Sequence, residues 1–165
     1  MKIYTKRGDN GQTDLYKGGR VTKDDPGIDA CGWLDSLSAE LGLTKVLFRN
    51  DEAMKHLLTD LQKDMIEIGA FVSSMGKTPF PAQRVEEMEV LIDKIDAKLP
   101  HLKDFVIPGA NLLEAQLHRT RTVCRTAERR LVQANRGPDN ALNQAIIYLN
   151  RLSDLLFVLA RKESL

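Results

Sequence analysis

Cysteine, histidine, aromatics and net charge are all scarce in this sequence, and each scarcity excludes something. Cys31 and Cys124 are the only two cysteines in 165 residues. They make no disulfide framework and no CxxC pair, so they read as small buried hydrophobes. His56, His101 and His118 stand in no metal-ligand spacing, and no HExxH is present; both facts argue against a zinc site. The formal net charge is +1, which gives no overall attraction to nucleic acid or to an anionic membrane. Anion binding would have to come from local clustering. No apolar run approaches the ~20 residues that cross a bilayer. The first residues lack the basic-then-apolar layout of a signal peptide, so the expectation is a cytoplasmic protein with no nucleic-acid or membrane partner.

Helical periodicity dominates what is present. Leu34, Leu37 and Leu41 mark a first stripe that begins about Asp29, after a turn read at "DDPGID". Met54, Leu57, Leu58, Leu61, Met65, Ile68, Phe71 and Val72 mark a second, and Val85, Met88, Leu91, Ile92, Ile95 and Leu99 a third. The connector "HLKDFVIPGAN" carries a short apolar patch. A fourth helix is predicted from about Leu112 to Gln133, and a fifth from near Asn140 with Leu142, Ile146, Leu149, Leu152, Leu156 and Leu159. Strand-length alternation is absent. The fold class is therefore all-α: a five-helix up-and-down bundle with antiparallel neighbours. One domain is expected over 1–165, with an arm at 1–25 and the bundle at 29–162.

The arm, "YTKRGDNGQTDLYKGGRVTK" at residues 4–23, differs from everything after it. Gly8, Gly11, Gly18 and Gly19 lie among Lys6, Arg7, Lys17, Arg20 and Lys23. Glycines let backbone N–H groups approach a phosphate and the cations add charge, a combination that suits a polyphosphate. It is no P-loop, because GxxxxGK[ST] is missing. In the fourth helix His118, Arg121, Arg125, Glu128 and Arg129 fall at i, i+3, i+7, i+10 and i+11, so the arginines form one stripe. Like charges at i, i+4 repel by ~0.2–0.5 kcal/mol per pair. The row therefore wants an anion, or carboxylates such as Asp35 or Asp154. In the fifth helix Asn150 and Asp154 interrupt an apolar run and need partners. No nucleophile–base pair appears. An enzyme built this way would supply position and charge neutralisation to a bound attacking group.

Three blocks taken together, residues 4–23, "FVIPGANLLEAQLHRTRTVCRTAERRLV" and "LNQAIIYLNRLSDLLFVLAR", resemble the PduO-type ATP:cob(I)alamin adenosyltransferases over nearly the whole chain. The resemblance implies a homotrimer with active sites between subunits. It also implies the reaction, in which the cobalt of cob(I)alamin attacks the 5′ carbon of ATP, giving adenosylcobalamin and triphosphate. ATP, Mg²⁺ and cobalamin are the ligands implied, with a corrinoid reductase and a B12-dependent enzyme as partners. By the same resemblance Thr5, Lys6, Arg7, Gly8, Thr13, Asp14 and Lys23 match the nucleotide loop. Arg125 matches a phosphate-binding arginine, with Thr126, Ala127, Glu128 and Arg129 in the same motif and Glu128 near magnesium or ribose. Asn150 matches the asparagine that completes the nucleotide pocket in that family. Arg121 and Asp35 match a pair that bridges subunits, and Phe105 an aromatic that closes the lower face of the corrin.

The chain departs from the family pattern in its first helix, at Gly27, Asp29, Cys31, Ser36 and Ser38, and again at Glu114, where a small residue is common. The first-helix departures are what an alternative reading rests on: a non-catalytic cobalamin carrier or nucleotide-gated regulator. A ferritin-like di-iron site is disfavoured, because Glu114–His118 and Glu52–His56 are spaced by four, not as Glu-x-x-His.

Overall fold

The computed structural model describes residues 2–16, 19–78, 80, 83–135 and 140–165. Lys17 and Gly18 of the basic stretch, and Arg136–Asp139, lie outside them. The described elements are β1 (Gln12–Asp14), β2 (Arg20–Thr22), α1 (Pro26–Leu47), α2 (Glu52–Ser73), α3 (Gln83–Asp96), α4 (Leu112–Ala134) and α5 (Asn143–Glu163).

Local chemistry explains where the helices begin. Asp25 caps α1, its Oδ1 accepting from the Gly27 N–H at 2.8 Å, and Pro26 occupies the first turn. A proline there gives up an N–H that would have no helical partner anyway. "DDPGID" is thus a helix start, not the turn read from sequence. Asp51 caps α2 through the Met54 N–H at 2.9 Å, and Asn111 caps α4 through the Glu114 N–H at 3.0 Å. Asn140 holds a positive φ of 45°, so α5 starts at Asn143, later than the periodicity placed it. Gly76 follows α2 at φ +77°, where an added Cβ would meet the Ala141 carbonyl oxygen at 2.9 Å. Only glycine suits both conditions.

Contacts fix the order α2–α1–α4–α5–α3 across the bundle. Level pairs give the directions. Cys31 meets Gly69 while Ser38 meets Gln62, so α1 and α2 are antiparallel. Asp29 pairs with Arg130 while Thr44 meets Thr120, which makes α1 and α4 antiparallel as well. His118 meets Phe157 while Asn135 meets Asn143, and the same holds for α4 and α5. α3 is the exception: Glu89 pairs with Arg151 and Asp96 with Arg161, so α3 runs parallel to α5. The chain still alternates up and down; two helices of like direction simply share a face.

α5 is the most enclosed helix, burying Tyr148, Leu149, Leu152, Leu155, Leu156 and Leu159. Each such leucine contributes about 1.5–3 kcal/mol of transfer free energy. Tyr148 carries its polar end to Asp64 in α2, donating at 2.6 Å. No described helix is long and apolar enough to cross a membrane.

The arm corrects the all-helical reading in one respect. β1 and β2 form an antiparallel hairpin in the register Gln12↔Thr22, Thr13↔Val21 and Asp14↔Arg20.

Candidate active site

The arm is organised around one carboxylate. Asp14 stands 3.1 Å from Arg7 Nη2 and 3.3 Å from Arg20 Nη1. Arg20 also donates from Nε to Gln12 at 3.0 Å and from Nη2 to the Arg7 carbonyl. Thr5 Oγ1 accepts from the Arg7 N–H at 3.4 Å. Lys6 sits at φ +60°, in the region L-residues avoid. A Cβ on Gly8 would come 3.2 Å from Lys23 Nζ, so that glycine lets the ammonium lie close to the backbone. Lys6, Arg7, Arg20 and Lys23 are all exposed. In the sequence Arg20 is one cation among several; its register opposite Asp14 brings it onto that carboxylate.

α4 and α5 supply the second locus. Arg125, Arg129 and Asn150 are exposed, and Glu128 is half-buried. Asn150 Nδ2 donates to Glu128 Oε1 at 3.2 Å, joining the two helices. Arg129 donates to Thr126 Oγ1 at 3.0 Å, and Ala127 is buried behind them. The structure therefore brings Thr126, Ala127, Glu128, Arg129 and Asn150 together. The acidic partners foreseen for the arginine stripe do not take that role, because Asp154 pairs with Arg151 instead. Among the described residues Arg125 has no ion-pair partner. Asp35 is exposed on α1, and among the described residues no hydrogen bond or ion pair joins it to Arg121.

Below this face lies an open cleft of about 610 Å³ lined by Leu102, Lys103, Asp104, Phe105, Val106, His118, Arg121 and Phe157. Phe105 stands fully exposed at its rim, which rules out the reading of an ordinary core phenylalanine. The Arg121 guanidinium carbon lies 5.7 Å from the Phe157 ring centroid, a cation–π distance. Its Nε is buried without an acceptor. Sequence reasoning did not single out Phe157, which no spacing distinguishes from the leucines around it.

His118 and Glu114 lie at the inner wall. The imidazole Nε2 is 3.1 Å from Glu114 Oε1, both side chains being almost wholly enclosed. Burial holds the imidazole below its usual range; Glu114 pulls it back up and Arg121 pushes it down. The thiols are not poised for nucleophilic work. Burial drives Cys124 far upward, with Glu128 adding to the effect, and burial also raises Cys31. Among the described residues no group of three His, Cys, Asp or Glu side chains could cage a metal. Glu128 is the carboxylate that bridges α4 and α5 through Asn150. That fits Mg²⁺ held mostly by phosphate oxygens and water, with one carboxylate nearby.

The cobalamin adenosyltransferase family model matches residues 3–163. A cobalamin adenosyltransferase from Cupriavidus metallidurans is 42% identical over 161 residues, 97% of this chain and 86% of that one. A corrinoid adenosyltransferase from Citrobacter freundii is 41% identical over 168 residues, 98% of this chain and 94% of that one. Among solved structures, a variant PduO-type ATP:corrinoid adenosyltransferase from Lactobacillus reuteri, complexed with cobalamin and ATP, superposes with a TM-score of 0.88. It is 32% identical and covers 99% of this chain and 91% of that chain. A nearly full-length family match and relatives of this similarity lead to one conclusion: the chain belongs to the cobalamin adenosyltransferase family.

Proposed function

We propose that this protein transfers the 5′-deoxyadenosyl group of ATP to the cobalt of cob(I)alamin, releasing triphosphate. The cobalt(I) electron pair forms a Co–C bond at C5′ while the C5′–O bond breaks, and the triphosphate departs with the bonding pair. No side-chain nucleophile is required. That suits a chain whose two thiols are both driven upward by burial.

The observation that carries the reading is the α4–α5 face. Arg125 is exposed and, among the described residues, without an ion-pair partner; it follows Arg121 by one turn of α4, and Arg121 lines a cleft together with an exposed Phe105. A departing triphosphate concentrates negative charge, so cations preorganised there bind the transition state more tightly than the ground state. In this reading Arg125 and Arg129 take the phosphates, Glu128 orients the hydrated Mg²⁺ or the ribose, and Asn150 closes the pocket by holding Glu128. The arm folds over the triphosphate with Lys6, Arg7, Lys23 and the Gly8 backbone, while Thr5, Thr13 and Asp14 shape it. The Arg7–Asp14 pair is exposed on both sides, and such pairs are worth about 0–1 kcal/mol. Phosphate therefore displaces the carboxylate at little cost.

Phe105 stands against the lower face of the corrin and excludes water and an axial ligand from cobalt. An exposed aromatic on a surface connector suits that task. Arg121, with its unsatisfied Nε, and the exposed Asp35 pair across subunits in a homotrimer whose active sites lie between protomers. We place the enzyme in the cytoplasm, where free thiols such as Cys31 and Cys124 stay reduced. There a corrinoid reductase supplies cob(I)alamin and a B12-dependent enzyme takes the product.

The Arg125→Ala variant tests the phosphate role. It should lose about 10²- to 10³-fold in kcat, the size of effect seen when one preorganised donor is removed, while its sedimentation matches wild type. An active variant would remove Arg125 from the mechanism.

A further inference from the structure

We propose that Glu114 is a positioning residue for adenosyl transfer. It fastens the connector that carries Phe105 to the first turn of α4 and, through His118, fixes the cleft wall that Phe105 also lines. This inference rests on the reading that Phe105 faces the corrin.

The helix cap does not require Glu114. Asn111 already caps α4 by accepting the Glu114 N–H at 3.0 Å, and Asn111 Nδ2 donates to the Glu163 carbonyl at 2.6 Å, tying the same point to the end of α5. The Glu114 carboxylate is therefore free for other partners, and it is only 1% exposed. A carboxylate so enclosed is tolerated only when its oxygens are satisfied. Oε2 accepts from the Gly109 N–H at 2.8 Å and the Ala110 N–H at 3.1 Å. Both amides belong to the connector, four and five residues beyond Phe105. Gly109 adopts φ +126°, a conformation open chiefly to glycine, which directs its N–H to the carboxylate.

The other oxygen faces the cleft side. Oε1 lies 3.1 Å from His118 Nε2, and the imidazole in turn stacks edge-on to Phe157 with centroids 6.1 Å apart. The groups around His118 are Glu114 and Arg121 from α4, Phe157 from α5, and Lys103 and Asp104 from the connector, which line the same cleft. One carboxylate thus fastens the connector through its backbone amides and stands beside the imidazole that packs on Phe157 of α5. Loss of Glu114 releases the connector, and Phe105 no longer sits at a fixed depth beneath a bound corrin.

The test uses the full-length protein with MgATP and cob(II)alamin, and a one-electron chemical reductant is added for the turnover assay. Absorption and electron paramagnetic resonance read the fraction of cobalt that has lost its lower axial ligand. Glu114→Ala should lower that fraction and reduce kcat from cob(II)alamin by about 10²-fold, the penalty of an ångström-scale misplacement, with KM for ATP near the wild-type value. Glu114→Gln retains one acceptor oxygen for the connector amides and should fall between. It also serves as the working variant if the alanine form does not fold. Phe105→Ala is run beside them. If Phe105→Ala loses the ligand-free signal and both Glu114 variants keep it, with only a lower thermal midpoint, Glu114 is a structural tie and the inference is overturned alone. If Phe105→Ala itself keeps the signal, the corrin-facing reading fails and the inference falls with it.

Discussion

Guanidinium groups are spent differently along α4, and that is where the chemistry is set. Arg119 pairs with Glu40 at 2.9 Å and Arg130 with Asp29 at 3.2 Å, so these two hold α1 against α4. Arg121 lies over Phe157 with one nitrogen unsatisfied, and Arg125 has no ion-pair partner among the described residues. Arg129 likewise has no ion-pair partner among the described residues, only a hydrogen bond to Thr126, and these three arginines are the ones a triphosphate or a neighbouring subunit would engage. Phe105 follows the same logic, as an exposed aromatic that no core contact explains. Phe105→Ala should slow adenosylation from cob(II)alamin far more than from pre-reduced cob(I)alamin, because only the first route needs the axial ligand removed. Equal losses in stopped-flow traces would count against that role. His118 gives a pH prediction. Its folded-state pKa lies below the ordinary value because it is buried, so the unfolded chain binds the proton more readily. Its contribution to stability is full above about pH 6.5 and declines as pH falls below that value and through the folded-state pKa. Urea unfolding at several pH values should show wild type losing its advantage over His118→Gln as acid is added. A pH-independent difference would contradict the assignment.

The elements were mostly legible because their apolar stripes are regular. Leu34, Leu37 and Leu41, then Leu58, Leu61, Met65, Ile68, Phe71 and Val72, and finally Leu149, Leu152, Leu156 and Leu159 are all buried. In α3 only Met88 is buried; the helix lies at the edge of the bundle, so its other stripe residues are partly covered. What could not be read depends on contacts distant in sequence. The hairpin has strands of three residues, too short to alternate visibly, and its order depends on Asp14 meeting Arg7 and Arg20. The Asp25–Pro26–Gly27 stretch carries turn and helix-start signals alike, and packing of α1 on α2 and α4 selects the helix. The polar stripe of α4 could be read from spacing, whereas Phe157 and the tie from Glu114 to Gly109 and Ala110 could not. At the α2 terminus, Gly76→Ala meets both a left-handed φ and the Ala141 carbonyl. It should destabilise the protein by about 1–3 kcal/mol, measured by chemical denaturation. An unchanged midpoint would mean that the loop shifts freely.

On the scale of the whole molecule, the bundle is a frame that carries a hairpin arm rich in cations, an α4–α5 face bearing Arg125 and Arg129, and a cleft lined by Phe105, Arg121 and Phe157. The enclosed α5 keeps α4 in place, and α4 carries residues of both the face and the cleft. This division matches a reaction in which the substrates supply the nucleophile and the leaving group while the protein supplies charge and position. The most direct measurement is made under nitrogen in dim light, with purified protein, MgATP and chemically reduced cob(I)alamin, following the cob(I) absorbance. The account predicts ATP-dependent loss of that absorbance, formation of a light-sensitive alkylcobalamin, and release of one triphosphate per corrinoid. Tight binding of both ligands with no decay of cob(I)alamin would contradict it and establish a carrier on the same frame.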